Sequence, residues 1–359
     1  MQRYNSFSES YPFHLSEHNT IGCRRIHYIG NLLAIFAFII FFCSLNVQWV
    51  FPAPVPGYSS NWKGQIIQEY VAWNTDSTIQ RENSIPKVDN TRMHIRVQDS
   101  VFAGMTFRIH FRHLQEPEVY IPLHRMRARK FDLLIHFHGE SRAVKYAARE
   151  FNASIVAVSI NLGEIAATYA DAFSDTSRFS DLLRGTVNTI EKKLKRPIQI
   201  RRIFLSCFGE GYAAVREIIS VKSNLPKLYA VIMLDGMRAK YVPDRKELEG
   251  EGIDSTELQP ILELAKQAAN PNLNIKFLAT HSEIFPGTFA GATECSDYII
   301  GQLGLKRNST MKHGPLGMQQ LSRARRNHFE ILGFAGNTLP DHFDHLEALY
   351  HFLRAVVRL

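Results

Sequence analysis

The chain has 359 residues, enough for one large domain or two smaller ones, and its 45% hydrophobic content suffices for a sizeable core. Lys and Arg exceed Asp and Glu by 42 to 34, in short clusters at 125–130 and 323–326 without a nucleic-acid module. We therefore expect no nucleic-acid partner, while attraction to anionic lipid headgroups stays open. Four cysteines are too few for a disulfide framework and match no metal signature.

An apolar run without charges lies near the N-terminus. No Asp, Glu, Lys or Arg occurs between Arg25 and Lys63, and the extended run covers residues 29–51. A membrane-spanning helix needs about 20 apolar residues and a signal-peptide core about 7–15, so the run fits both. Because Arg24 and Arg25 precede it, the positive-inside rule sends the rest of the chain across the membrane. We expect a globular domain on the non-cytoplasmic side, anchored by this segment or exported after cleavage.

Composition divides the chain into four parts. Residues 1–28 form a polar tail before the apolar segment 29–51, and residues 52–90 have the Pro, Ser, Asn and Gln content of a linker or arm. Residues 91–359 carry regular apolar patterns and predict one α/β domain. It starts with "MHIRVQD" and "MTFRIHFR", whose alternation on either side of Gly104 predicts a β-hairpin.

Six further strands alternate with helices along this domain. The strand candidates are 131–139, 154–163, 201–209, 228–236, 274–282 and 328–336, and the helix candidates are 142–150, 178–195, 211–221, 256–269, 291–303 and 342–357. Continuously apolar strands are buried on both faces, which is typical of a parallel sheet covered by helices on both sides.

The order of these parts resembles the α/β-hydrolase fold. The hairpin leads into the sheet, the third strand ends in "HFHGE" (136–140), and the fifth enters the Gly-rich turn "CFGEG" (207–211). A histidine-bearing stretch, "GNTLPDHFDHL", follows the last strand. Over about residues 91–357 the sequence is similar to exported bacterial esterase-like members of that superfamily. The resemblance implies a mostly parallel sheet with a catalytic site at the turn.

Gly209 takes the position of the nucleophilic serine in that resemblance. Glycine tolerates the strained backbone of the turn, but it carries no Oγ, so acyl-enzyme chemistry at this position is lost. The resemblance implies an oxyanion hole made by the backbone N–H of Glu210 and the peptide region of Gly139 and Glu140. The Glu210 carboxylate would oppose an oxyanion unless it points away.

The resemblance also implies an acid and a histidine later in the chain. Asp235 suits the acid by residue type, whereas Glu283 lies after the seventh strand, the commoner place for the acid in the family. His342 and His345 are three residues apart at a helix start, so they share a face and either one could point back to the turn.

The stretch "DHFDH" has two other interpretations. Asp341 or Asp344 could cap a helix whose histidines face solvent. Alternatively, its His and Asp residues could bind a metal together with His281, Asp235 or Glu283, but no spacing matches a zinc signature. We predict no metal and no cofactor.

A relocated nucleophile would rescue catalysis. Ser206 precedes the turn on the strand, and Cys207 takes a small-residue position that normally packs beneath it. Ser282 lies at the end of the seventh strand, beside the site in the resemblance, and Ser141 comes just after "HGE". A buried cysteine is more often inert than reactive.

Three functions remain after this reasoning. The first is a pseudo-hydrolase that binds a small-molecule or acyl ligand, or a partner, in the cleft without serine-hydrolase turnover. The second is an active ester or amide hydrolase with a relocated nucleophile or a histidine-activated water. The third is a membrane-anchored scaffold, which a cleft filled by Glu210 would favour.

Overall fold

The computed structural model describes residues 92–98, 102–111, 114–151, 153–242 and 252–359. The predicted tail, apolar segment and linker, residues 1–90, lie outside these ranges. In the part that is described, no helix has the length and apolar character needed to cross a membrane.

Ten strands among the described residues form one mixed sheet. They are β1 (Gly104–Arg108), β2 (Glu118–Pro122), β3 (Lys130–Phe137), β4 (Ile155–Ile160), β5 (Gln199–Phe208), β6 (Ala230–Leu234), β7 (Lys276–His281), β8 (Asn308–His313), β9 (Gln319–Arg326) and β10 (Phe329–Phe334). Their order across the sheet is β1-β2-β4-β3-β5-β6-β7-β10-β9-β8. From β4 to β10 all neighbours are parallel, and antiparallel strands complete both edges.

Eight α-helices of the described residues connect or cover these strands. They are α1 (Ser141–Glu150), α2 (Ala166–Phe173), α3 (Arg178–Leu194), α4 (Tyr212–Ser220), α5 (Ser255–Ala268), α6 (Ala292–Gln302), α7 (Leu339–Glu347) and α8 (Leu349–Val357). The six predicted β–α units are all present. The last helix of the prediction is divided between α7 and α8 at Ala348, and β2, α2 and the β8–β9 pair are additional.

Both faces of the central strands are buried, as their unbroken apolar sequences predict. In β3, Leu133 and Ile135 pack into one hydrophobic cluster, while Leu134 between them packs into the other. The same alternation places Met233 of β6 on one face and Ile232 on the opposite face. This arrangement confirms the mostly parallel sheet with helices on both sides.

The predicted hairpin around Gly104 is wrong in one of its strands. β1 pairs antiparallel with β2, not with residues 93–98. Residues 92–98 contain no strand, and Met93 and Ile95 are exposed. The alternation of this stretch is real, but its polar half faces the protein because carboxylates of α7 bind the basic side chains there.

Candidate functional site

The turn after β5 is compressed between two neighbouring segments. Gly209 has a φ of +45°, and residues Gly209–Gly211 form a single short turn before α4. A Cβ on Gly211 would lie 2.3 Å from the backbone oxygen of Phe137, and one on Gly236 would lie 2.5 Å from the oxygen of Gly209. Both positions therefore have room only for glycine, which fixes Gly209 at the carboxyl end of the sheet.

His342 faces the position that the side chain of residue 209 would occupy. Its Nε2 lies 3.3 Å from the place of a Cβ on Gly209. Its Nδ1 donates to Asp235 Oδ2 at 2.7 Å. Helix α7 starts one turn earlier, where the Thr338 side chain accepts from the backbone N–H of Asp341. The start of α7 thus orients the His342 side chain, so that Nδ1 contacts Asp235 and Nε2 faces the turn.

Asp235 is fixed by hydrogen bonds on both oxygens. It follows β6 with a φ of +45°, and the backbone N–H of Ser282 donates to its Oδ1 at 2.8 Å. The Ser282 hydroxyl donates to Oδ2 at 2.7 Å. Burial alone would raise the pKa of this carboxyl, but the His345 and His342 imidazoles and these hydrogen bonds hold it well below its ordinary value. Asp235 is therefore ionised and keeps the imidazole of His342 oriented.

The other two acid and histidine candidates lie away from the turn. His345 is buried in the core, where its Nδ1 hydrogen-bonds to Thr280 Oγ1 at 2.7 Å and its ring packs on Phe334 and Phe352. Burial lowers its pKa to about 4. Glu283 binds the backbone of Gly336, accepting its N–H at 3.3 Å. Of the pairs left open by the sequence, the structure brings together Asp235 and His342.

His138 is a further imidazole at the turn that the sequence reasoning did not single out. Its Nε2 lies 3.7 Å from the Cβ position of Gly209, and its Nδ1 is 3.0 Å from the Tyr169 hydroxyl. The backbone φ of +70° is unusual for a residue with a side chain. Burial, followed by the nearby His342, lowers its pKa to about 3, so the ring is neutral. Two imidazoles therefore flank the space above Gly209.

The signal that could have identified His138 is its place in "HFHGE". Residues in a β-strand alternate between faces, so a strand that continued through this stretch would place His136 and His138 on the same side. The structure separates them, since β3 ends at Phe137. His136 lies below, where the Ser206 hydroxyl donates to its Nδ1 at 2.7 Å and its Nε2 donates to the His138 carbonyl at 2.8 Å.

Glu210 does not fill the cleft. Its carboxylate forms an ion pair with Arg238, whose guanidinium also lies 4.8 Å from the centre of the Phe289 ring. A pocket of about 40 Å³ lies next to the Arg238 side chain. It is bounded by Asp235 and His342 and by apolar side chains that include Phe289 and Leu339. The charge next to the turn is thus balanced, and a small apolar space adjoins the His–Asp pair.

Gly139 and Glu140 follow β3 at the same end of the sheet. Gly139 has a φ of +96°, and a Cβ there would lie 2.6 Å from Leu346 Cδ2. The Glu140 side chain pairs with Arg142, which also binds Glu347 at the end of α7. The loop after β3 is thereby attached to the helix that carries His342.

Three of the four relocated-nucleophile candidates have other roles. The Ser282 hydroxyl donates a hydrogen bond to Asp235, and the Ser206 hydroxyl donates one to His136. Cys207 is fully buried and burial raises the pKa of its thiol, which keeps it protonated. Ser141, the first residue of α1, stays a candidate.

The segment 92–98, which we call the basic strap, is attached to α7. Arg92, His94 and Arg96 all contact the buried carboxylate of Asp344, and Arg92 also contacts Asp341 at 2.7 Å. His94, Asp341 and Asp344 are the one group of the described residues that is spaced for a metal ion. Two guanidinium groups already neutralise these carboxylates, so the arrangement fits an ion-pair network better than a metal centre.

One family matches part of the sequence. It is described as 2-hydroxy-palmitic acid dioxygenase Mpo1-like, and it matches residues 4–72. The match runs from the predicted tail through the apolar segment into the linker, so it concerns the N-terminal part and not the cleft. Comparison with curated proteins yields no match.

Three solved structures are similar to this chain over about three quarters of its length. An S-formylglutathione hydrolase from Agrobacterium tumefaciens is 11% identical with a TM-score of 0.43, covering 74% of this chain and 99% of its own. Est1E from Butyrivibrio proteoclasticus is 10% identical with a TM-score of 0.37, covering 72% and 100%. An acylaminoacyl peptidase from Pyrococcus horikoshii is 13% identical with a TM-score of 0.41, covering 73% and 42%. Likenesses at these values say nothing about the activity of this chain.

Proposed function

We propose that residues 91–359 form an α/β-hydrolase-like domain that has lost acyl-enzyme chemistry and binds a small carbonyl- or acyl-bearing ligand in the cleft. The observation that carries the proposal is the space above Gly209. His342 Nε2 is aimed at it from 3.3 Å, but residue 209 supplies no hydroxyl or thiol. A general base without a nucleophile beside it cannot form a covalent acyl intermediate.

The groups that remain suit binding of a polar head next to an apolar body. The imidazoles of His342 and His138 face the space above Gly209, and the backbone N–H of Glu210 belongs to the adjoining turn. In our proposal this N–H and the Gly139–Glu140 peptide bind the ligand's carbonyl oxygen. The apolar pocket beside Phe289 and Leu339 then takes a short chain or ring.

The test is covalent labelling of the purified wild-type chain with a fluorophosphonate, followed by peptide mapping, together with a p-nitrophenyl acetate assay. The proposal expects no adduct in the cleft and no burst of p-nitrophenol. An adduct on Ser141 or on any other residue that faces the space above Gly209 would overturn it.

A second candidate is hydrolysis by a water that His342 activates. The specific support is the 2.7 Å contact from His342 Nδ1 to the ionised Asp235, which leaves Nε2 free to accept a proton. In this case p-nitrophenyl acetate turns over without a burst. His342→Ala abolishes that turnover, whereas His110→Ala, a change of an exposed histidine, leaves it unchanged.

The scaffold hypothesis is less well supported, because Glu210 pairs with Arg238 and leaves the pocket open. Membrane attachment through residues 29–51 is retained as a proposal. It places the domain on the non-cytoplasmic side, or exports it after cleavage. Carbonate extraction of membranes from cells that make the full chain, followed by protease protection, tests both the attachment and the side.

A further inference from the structure

Two basic segments meet at the amino-terminal ends of β3 and β5. Residues 125–130 precede β3 and enter it, and residues 192–202 run from the end of α3 into β5. Lys130 pairs with Gln199 in the parallel ladder, and the Gln199 N–H donates to the Arg129 carbonyl at 2.8 Å. The Arg196 guanidinium donates to the Met126 carbonyl at 2.5 Å. The fold therefore builds one surface, here called the basic surface, from segments that lie far apart in the sequence.

The basic surface holds much of the charge excess of the chain. Residues 125–130 contain four Arg or Lys side chains, residues 192–202 contain six, and neither segment contains Asp or Glu. The nearest carboxylates along the chain, Asp132 and Glu191, already have hydrogen-bond partners. Asp132 is buried between Arg201 and Arg202, and Glu191 accepts the Ile198 N–H at 2.9 Å. Together the two segments carry ten basic side chains, whereas the net charge of the whole chain is +8. The excess of positive charge is therefore concentrated on the basic surface rather than spread evenly.

We propose that the basic surface docks on an anionic phospholipid membrane. Arg127, Arg129 and Lys192 are exposed, as a surface that meets headgroups requires. Leu123, just ahead of the cluster, is 60% exposed and can enter the headgroup boundary. Neither segment contains an aromatic residue, so no stacking platform for nucleic-acid bases is present in them. The charge and the apolar side chain together favour a lipid surface over a nucleic acid.

This docking sets the direction of the cleft. Gly209 and His138 follow the carboxyl ends of β5 and β3, whereas the basic surface lies at the amino ends of the same strands. The eight residues of β3 span about 25 Å. The cleft thus faces away from the docked membrane, and its ligand arrives from the aqueous side.

The experiment measures binding of the full chain to vesicles of phosphatidylcholine alone and to vesicles with about one third phosphatidylglycerol, at physiological ionic strength. The apolar segment 29–51 carries no charge, so the ratio of the two affinities reports the electrostatic part. The test variant is Arg127→Gln/Arg129→Gln/Lys130→Gln/Lys192→Gln. The control removes the same charge elsewhere on exposed positions, as Lys222→Gln/Lys306→Gln/Lys312→Gln/Arg325→Gln.

The proposal expects wild type to prefer the anionic vesicles, and the preference to vanish at about 1 M salt, where surface charges are screened. The test variant should lose at least about tenfold of that preference, and the control should keep most of it. Equal losses in both variants would overturn the proposal, because net charge would then explain the binding. No preference in wild type, or tighter binding to a DNA duplex than to the anionic vesicles, would overturn it as well. Thermal unfolding of both variants checks that they are folded.

Discussion

His342 Nε2 lies 3.3 Å from the position of a Cβ on Gly209, while Nδ1 of the same ring donates to Asp235 at 2.7 Å. The imidazole therefore connects a fixed carboxylate to an empty side-chain position. In the function proposed above, this empty position is the one that a nucleophile would occupy. It also shows where a single added hydroxyl would have to lie.

The tight turn predicts a large difference between two glycine-to-alanine changes. Gly211→Ala places a methyl group 2.3 Å from the backbone oxygen of Phe137, which cannot move without displacing β3. We expect a loss of about 3 kcal/mol or more in the free energy of unfolding. Gly301→Ala meets no atom within 4 Å in α6 and should be neutral or stabilising by up to about 1 kcal/mol. Urea denaturation of both variants measures the difference, and equal effects would contradict the packing of the turn.

The basic strap predicts a strong effect at Asp344. This carboxylate is fully buried and contacts Arg92, His94 and Arg96, so Asp344→Asn removes the charge that all three side chains share, and Arg92 keeps only Asp341 as a charged partner. We expect a loss of about 2–4 kcal/mol in unfolding free energy. Glu263→Gln removes one member of an exposed ion pair and should cost less than about 1 kcal/mol. A small effect at Asp344 in the same denaturation assay would show that the strap is not attached to α7 in solution.

Buried histidines predict that the domain loses stability in mild acid. Burial lowers the pKa of His136, His281 and His345 to about 4 and that of His138 to about 3. In the unfolded chain these groups take up protons below about pH 6.5, whereas the folded chain excludes them until about pH 4. Stability should therefore fall as the pH decreases through this window, by up to about 1.4 kcal/mol per pH unit for each histidine.

The measurement is chemical denaturation between about pH 7 and pH 4.5, compared between two histidine variants. His345→Gln should flatten the dependence, because one buried imidazole is removed. His110→Gln should leave it unchanged, since that side chain is 85% exposed. A stability that rises on acidification would contradict the burial of these rings.

The sequence pattern predicts most of the parallel core, because each central strand is buried on both faces and is therefore continuously apolar. It fails at residues 93–98, where the alternation is correct but Arg92, His94 and Arg96 take the inner side. The preference of apolar residues for the interior is outweighed there by a buried carboxylate that comes from a distant helix. A pattern within one segment does not contain that information.

The sequence predicts part of the candidate site, because some of its residues belong to local motifs. The glycines of the turn and the chain order of acid and histidine identify Gly209 and limit the partners to four residues. Spacing alone does not separate His342 from His345, since both lie on one side of α7 and differ by one helical turn in depth. The sequence does not predict His138 at the site, because its position depends on a left-handed backbone after β3. Apolar periodicity contains no information about that backbone conformation.

The central claim is that Gly209 occupies the nucleophile position of an otherwise assembled site. The most direct test is Gly209→Ser, because a serine at this φ costs only about 1–2 kcal/mol and its hydroxyl would lie beside His342. We predict fluorophosphonate labelling at residue 209 in this variant, none in the cleft of wild type or Gly209→Ala, and a loss of about 100-fold or more in labelling rate when His342→Ala is added. A folded Gly209→Ser variant that stays unlabelled, or that is labelled equally fast without His342, would contradict the claim.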